Sequence, residues 1–303
     1  MDDGGAIRLT RGRPFARGRV LGFFARGRVL GSFARHPLGA AGFGLLAAVV
    51  VFCFLGPLVY HGNQLRADLL LTNRPPGAGH PLGTDDNGFD ILGRLMAGGR
   101  SALEVGFGVA AAATAFGAAW GAASGYLGGV ADAVMMRIVD SLIAVPAIFL
   151  LVFLATAFRP TTWMLIATLS ALSWAGPARL VRAETLSLRT RDFVAAAVTS
   201  GATGGHVVRR HLLPNTVDTV LVNATFQVAD AIVVVAALSF LGFGPPPPAV
   251  SWGGMLSQGS NYLLDGYWWE VYPVLGFLVL TVLAVNFLGE GLRDALDVRR
   301  RRA

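Results

Sequence analysis

Histidine is the side chain best suited to act as a general base or a metal ligand near neutral pH, and the sequence has five. All five lie outside the long apolar windows: His36, His61, His80, His206 and His211. A serine protease working at membrane depth needs a base beside its serine, and no histidine is placed to serve it. His206 and His211 are five residues apart, not the i, i+4 spacing that puts two ligands on one helix face. We therefore expect neither a histidine-based active site nor a metal site.

The other reactive side chains exclude further kinds of catalysis. Every one of the 25 basic residues is arginine, so the chain has no lysine for a phosphate-binding loop or a Schiff base. If ATP is used, another subunit must therefore bind it, and we expect no cofactor on this chain. The single cysteine, Cys53, lies in an apolar run and has no second cysteine to pair with. We interpret it as a small buried apolar residue.

Carboxylates inside apolar windows are costly and therefore informative. Asp230 lies about midway along one such window. Three interpretations stay open for it: a structural hydrogen bond between helices, a place on the lining of a transport pathway, or coupling to an ion. Glu104, Asp132 and Asp140 lie nearer the ends of their windows, where water or lipid headgroups can solvate them. For these three we expect no special role.

Apolar helices must position these residues. The chain has 303 residues, of which 54% are hydrophobic and 14% charged, and its mean hydropathy of +0.58 is too high for a soluble domain. A membrane helix needs about 20 apolar residues, because hydrocarbon offers no partner to backbone N–H and C=O groups. The sequence predicts an all-α integral membrane protein with six transmembrane helices. They lie at about 38–60, 102–127, 132–158, 162–178, 216–241 and 271–292.

Arginine placement predicts how these spans are oriented. Eight arginines lie in an amino-terminal arm (1–37), six between Arg179 and Arg210, five in a tail (293–303), and none in the loop 242–270. An even number of spans puts all three rich segments on one face, which the positive-inside rule makes cytoplasmic. Both termini are then inside, and the segment 61–100 is an extracytoplasmic loop. Because the excess charge lies at the membrane ends, we expect lipid and not nucleic acid as its partner.

The arm carries a near-perfect repeat, FARGRVLG, at Phe15–Gly22 and Phe24–Gly31. A nine-residue period fits neither a solenoid unit nor one face of a helix. Contact with anionic headgroups and specific binding through the arm both stay open as interpretations.

The outer loop is predicted to contain an interfacial amphipathic helix. Thr84 or Asp85 can cap it. Four apolar side chains then fall on one side: Phe89, Leu92, Leu95 and Met96.

Two patterns concern the packing and bending of the spans. Glycine recurs at every fourth position of the second span, which predicts close approach of a neighbouring helix. The glycines are Gly117, Gly121, Gly125 and Gly129. Pro146 predicts a kink in the third span, since proline removes a helix hydrogen bond.

One polar segment interrupts the apolar pattern between the fourth and fifth spans. This segment (192–215) reads DFVAAAVTSGATGGHVVRRHLLPN. Asp192 can cap a short helix, Gly201 can end it in the left-handed conformation, and Thr203 can cap a second short helix. Pro214 permits a fresh start at the next span. We predict a compact helix-turn-helix with small side chains on which another protein can dock.

The segment resembles the cytoplasmic motif of binding-protein-dependent ABC importer permeases, with small residues, then Gly, then His-Leu-Leu-Pro-Asn. Four further stretches look like the second permease of dipeptide and oligopeptide importers: LGTDDNGFDILGRLMAGGRSAL, GYLGGVADAVMMRIVDSLIAVPAIFL, LSFLGFGPPPPAVSWGGMLSQGSNYL and NFLGEGLRDALD. In this family the segment contains the coupling helix, which sits in a groove of the ATP-binding subunit, so we name residues 192–215 the coupling segment. The resemblance assigns coupling to Phe193, Ala195, Ala196, Ala197, Gly201, His211 and Pro214. Ala195 stands where the family usually has glutamate, so one charged anchor is missing, although docking is still expected.

The resemblance further implies a type I ABC importer transmembrane domain in a bacterial inner membrane, with its permease core at 101–292. Its implied partners are a homologous permease, ABC ATP-binding subunits and an extracytoplasmic substrate-binding protein. The subunit itself is expected to be non-catalytic. Dipeptides or oligopeptides are the expected cargo, and nickel complexes or haem are the alternatives within the family. A stand-alone secondary transporter and a non-transporting scaffold are the alternatives outside it.

Overall fold

The protein is all-helical in a computed structural model that describes residues 37–61, 67–157, 161–246 and 248–301. Across these ranges the β-type pairing is limited to two isolated bridges, Gly77 with His80 and Thr84 with Asp90. The predicted all-α class is therefore confirmed. The arm with its FARGRVLG repeat lies outside the described residues, except for Pro37.

Four helical stretches are long and apolar enough to cross a membrane. The first is α1 (Pro37–Val59) and the second is α2 (Ile91–Leu127). The third runs over Gly204–Phe243 and contains α8 (Gly204–Val207), a π-helical turn (Val208–Leu212), α9 (Leu213–Leu238) and a second π-helical turn (Ser239–Phe243). The fourth, Trp268–Leu296, contains a 3₁₀ turn (Trp268–Glu270) and most of α11 (Tyr272–Arg301).

Two bent helix pairs supply the other candidate spans. The helices α3 (Gly129–Ala144) and α4 (Ala147–Ala157) meet at 79°, and α5 (Thr162–Ser173) and α6 (Ala175–Leu188) meet at 42°. The described part of the chain thus has four candidate spans, or up to six if each bent pair is one span. Pro146 lies in the sharper break, as predicted, because its ring clashes with the carbonyl four residues earlier.

The second span begins earlier than predicted. The helix α2 has 37 residues and runs without interruption through the region where a separate interfacial helix was expected. At 1.5 Å per residue it is about 55 Å long, well beyond the hydrocarbon thickness. Leu95 and Met96 are buried against the bundle and do not face an interface. The expectation of a separate amphipathic helix is wrong, because its apolar side packs against the protein.

The residues expected to cap that helix have other roles. Asp90 is the cap, and its carboxylate accepts a 2.7 Å hydrogen bond from the Gly93 N–H. Asp85 instead accepts hydrogen bonds from the backbone N–H groups of Asn87 and Phe89 and pairs with Arg94 at 2.5 Å. Burial raises the pKa of the Asp85 carboxyl despite the opposing effect of the Arg94 guanidinium.

The glycine stripe packs as predicted at three of its four positions. A Cβ at Gly117 would lie 2.5 Å from the Trp174 carbonyl oxygen, and one at Gly121 would lie 2.2 Å from that of Ala178. A Cβ at Gly125 would lie 2.9 Å from the Cβ of Thr185. These close approaches join α2 to α6. Gly129 is not part of the stripe, since it has an open surrounding, a φ of +54° and a place at the start of α3.

Loop segments cover the end of the bundle at which α2 begins. The short helix α10 (Trp252–Ser260) lies in one of them. The buried Trp252 donates from Nε1 to the Leu95 carbonyl at 2.9 Å, and Trp269 donates to the Thr84 carbonyl at 3.2 Å. The two indole groups fasten the loops to α2 and to the segment before it. The coupling segment lies at the other end of α2.

Candidate coupling site and pathway residues

The coupling segment begins with the short helix α7 (Asp192–Thr199). Arg191 holds the N-cap position, and Asp192 is the first helical residue. The prediction that Asp192 caps the helix is therefore wrong by one residue. A negative side chain in the first turn is still favourable to the helix dipole.

A Schellman motif ends this helix at the glycine that the sequence singled out. Gly201 has a φ of +83°, in the left-handed region. The Gly201 N–H donates to the Val198 carbonyl at 2.9 Å, and the Ala202 N–H donates to the Ala197 carbonyl at 3.1 Å. Ala197 and Ala202 both pack in the cluster beneath the helix, which is the apolar contact that accompanies this motif. The predicted left-handed stop is confirmed.

One face of α7 is anchored and the other is free. Val194 is 3% exposed and lies in a cluster with Val207 and Leu212, against Tyr126 at the end of α2. Ala195 and Ala196 are exposed, and Phe193 is 37% exposed. Ala197 is half-buried and belongs partly to the anchor. The helix therefore presents a smooth surface of small side chains on a fixed base.

The second half of the segment differs from the prediction. Thr203 is at the N-cap of α8, but its side chain makes no capping hydrogen bond. The helical path then continues from Gly204 through Pro214 into α9. The π-helical turn makes this possible, since the Leu213 N–H donates to the Val208 carbonyl, five residues earlier. Pro214 does lie in the first turn of α9, as predicted, but the helix is not a fresh start, because the wider turn just before Pro214 accommodates its ring.

The same π-helical turn brings the two histidines together. The rings of His206 and His211 are 6.0 Å apart between centroids, and the His211 ring is 6.3 Å from that of Phe193. The expectation that a spacing of five separates the two side chains is wrong, because a π-helix has more residues per turn than an α-helix. No cluster of three His, Cys, Asp or Glu residues that could hold a metal ion occurs among the described residues.

The structure places Asp230 on an exposed face of α9. Val233 and Ala237 are exposed on the same face, three and seven residues further along. No hydrogen bond to the Asp230 carboxylate comes from the residues that the structure describes. The described part of the chain therefore supplies no structural hydrogen bond for it, and lining a pathway or coupling to an ion stay open as interpretations of Asp230.

Sequence reasoning missed the partner of Asp132. This carboxylate is 8% exposed and accepts hydrogen bonds from Arg182 at 2.5 and 2.6 Å and a further one from Ser124. The expectation that water or headgroups solvate Asp132 is wrong. The signal lay just beyond the fourth window, because a carboxylate removed from water usually pairs with an opposite charge and arginines follow that window directly. Glu104 does pair at an exposed site, with Arg100 at 2.8 Å.

Glu270 is a second buried acid that the sequence did not reveal. It is 3% exposed, and neither carboxylate oxygen has a hydrogen-bond partner among the described residues. It faces a small cavity whose polar lining also includes Asp85 and Gln258. A buried polar group without a partner is costly, so this side chain strains the loop end of the bundle.

Comparison with known proteins identifies the family. Residues 115–302 match the model of the family described as binding-protein-dependent transport system inner membrane component. This range includes the whole coupling segment, α9 and Asp230.

Three similar proteins cover most of the chain. A protein of Brucella suis biovar 1 (strain 1330), whose name proposes a peptide permease, is 43% identical over 256 residues, 84% of this chain and 83% of its own. The dipeptide transport system permease protein DppC of Bacillus subtilis (strain 168) is 36% identical over 268 residues, with 88% and 84% covered. The oligopeptide transport system permease protein OppC of Haemophilus influenzae is 36% identical over 269 residues, with 88% and 86% covered. The chain therefore belongs to the family of binding-protein-dependent transport system inner membrane components.

Proposed function

We propose that this chain is a permease subunit of an ATP-driven importer for dipeptides or oligopeptides and forms half of its translocation pathway. The names of the three similar proteins support peptide cargo, since they describe peptide, dipeptide and oligopeptide transport. Nickel complexes and haem are the alternative cargoes. ATP and magnesium are bound by partner ATPase subunits, so this subunit is non-catalytic.

One observation carries the coupling role: the free alanine surface of α7 stands on an anchored base. Small side chains at Ala195 and Ala196 let a partner groove approach the helix backbone closely. The absence of a carboxylate at position 195 removes a charged contact of about 1 kcal/mol or less at an exposed site. Shape complementarity therefore provides most of the docking energy.

A rigid lever connects this surface to the spans. The helix α6 leads into α7 across only three residues and packs tightly on α2 through the glycine stripe. Movement of α7 by an ATPase is therefore passed to both helices together. Alternating access follows when this subunit and a homologous permease rock against each other.

The orientation follows from arginine placement. The coupling segment and both termini face the cytoplasm, where anionic headgroups contact the arginine-rich arm and tail. The loop end of the bundle faces outward and receives an extracytoplasmic substrate-binding protein. Asp230 then lies within the membrane on a face of α9 that is free to line the pathway.

Crosslinking tests the coupling role. A complex carrying Ala196→Cys is expected to crosslink to its ATPase subunit through a short bifunctional reagent. A complex carrying Ser141→Cys, at an exposed position of α3, is the control and is expected not to crosslink. Failure of Ala196→Cys to capture an ATPase in an intact, ATP-hydrolysing complex overturns the proposal.

A further inference from the structure

The helix α3 is held to the rest of the bundle by few apolar side chains. Of its 16 residues, only Asp132 and Val139 are buried. An ordinary helix facing a core buries a stripe of three to four side chains in every two turns. Apolar packing within this chain therefore fixes α3 weakly.

Both ends of α3 can also bend. Gly128 and Gly129, at its start, have φ values of +67° and +54°. The break at Pro146 follows its other end. Without a specific tie, α3 can rotate as a short segment between two hinges.

Asp132 provides that tie. Its carboxylate accepts hydrogen bonds from Nε and Nη2 of Arg182 on α6. It accepts another from the hydroxyl of Ser124 on α2. A bidentate pair fixes orientation as well as distance. The second pair between α3 and α6, Asp140 with Arg179, has both side chains 49% exposed and consists of one hydrogen bond, without the bidentate geometry. The Asp132 pair is therefore the stronger of the two.

This tie lies next to the base of the coupling helix. Arg189, one residue beyond the end of α6, donates to the Gly125 carbonyl of α2 at 3.0 Å. Tyr126, which follows Gly125 on α2, packs against the cluster that contains Val194 of α7. A displacement of α7 thus reaches α2 and α6 directly. It reaches α3 mainly through Asp132, since the other polar contact from α2, from Trp120 Nε1 to the Met135 carbonyl, is long at 3.4 Å.

We propose that Asp132 is a positioning residue that makes α3 move with α2 and α6 as one body when the ATPase shifts the coupling helix. This inference rests on the proposed function. Loss of the Asp132 carboxylate leaves α3 free to lag behind α6, so the third span no longer follows the nucleotide state.

Spin labels on α3 and α6 test this. Ser141→Cys and Ser187→Cys, both at exposed positions, are labelled in a Cys53→Ala background, and the complex with its ATPases is placed in lipid nanodiscs. In this otherwise unaltered protein, the label distance is expected to stay the same with and without trapped ATP. In Asp132→Ala the label distance is expected to differ by about 2 Å or more between the two nucleotide states, or the distance distribution is expected to broaden. The swap Asp132→Arg with Arg182→Asp is expected to restore a constant distance.

Asp140→Asn is the matched control, since it breaks the exposed pair between the same helices and is expected to leave the distance constant. A label distance that depends on nucleotide in the protein with Asp132 intact overturns the inference. So does a label distance in Asp132→Ala that stays the same in both nucleotide states. Asp132→Asn provides a milder variant should the alanine variant fail to assemble. If the proposed function is wrong, the result is different: the unaltered permease purifies without an ATPase.

Discussion

The ring of Phe193 on α7 lies 6.3 Å from the ring of His211, which stands at the π-helical turn leading into α9. The helix α7 therefore contacts the helical stretch that carries Asp230. An aromatic pair of this kind contributes about 0.5–1.5 kcal/mol beyond its buried area. Phe193→Ala is expected to lower ATP-driven peptide uptake by about 2- to 10-fold while leaving membrane insertion normal. Uptake into proteoliposomes measures this.

Phe149→Ala is the control for that experiment, because Phe149 is 71% exposed on α4. It is expected to leave uptake unchanged. Equal uptake by the Phe193→Ala and unaltered proteins would show that the ring contact is not needed.

Gly201 is required because of its backbone conformation, and not because a side chain would lack space there. Its φ is +83°, yet no heavy atom lies within 4 Å of a Cβ built there. Gly201→Ala is expected to destabilise the end of α7 by about 1–2 kcal/mol, whereas Gly201→Asn retains more function because Asn tolerates the left-handed region. Gly201→Trp should abolish uptake by adding bulk at the docking surface. Peptide uptake and co-purification of the ATPase compare all three variants. Equal uptake by the Ala and Asn variants contradicts the backbone argument.

The contact between α2 and α6 should not tolerate a single methyl group. A Cβ at Gly121 would lie 2.2 Å from the Ala178 carbonyl oxygen, whereas one at Gly176 meets nothing within 4 Å. Gly121→Ala is expected to lower the free energy of unfolding by about 1–3 kcal/mol through overpacking. Gly176→Ala should be neutral or stabilising by up to about 1 kcal/mol, since alanine favours a helix. Thermal unfolding in detergent compares the two, and equal melting temperatures would refute the close packing.

Neutralising Glu270 should stabilise the protein. Its carboxylate is buried with no donor among the described residues, and Asp85 lines the same cavity. Glu270→Gln is expected to raise the free energy of unfolding by about 1 kcal/mol or more, because an amide is less costly to bury than a charge. Glu104→Gln, at an exposed ion pair, should change it by less than about 1 kcal/mol. A lower melting temperature for Glu270→Gln would mean that the carboxylate has a stabilising partner in the assembly.

Local sequence patterns predicted much of the fold. The apolar windows, the break at Pro146, the packing of Gly117, Gly121 and Gly125, and the left-handed stop at Gly201 follow from helix periodicity and from hydrogen bonds between near neighbours. The same reasoning failed at 84–100, where it predicted a separate helix. The pattern of one apolar side is identical whether that side meets lipid or protein, so it could not show that α2 begins at Ile91.

The sequence by itself determined a helical membrane protein with one polar, glycine-stopped segment made of small residues, because composition and short-range hydrogen bonding decide those features. Only the tertiary structure decided that Asp132 meets Arg182, 50 residues away, and that a π-helical turn aligns His206 with His211. Pairs of this kind depend on how whole helices approach and wind. The free energy of that approach is shared among many distant contacts and leaves no local trace in the chain.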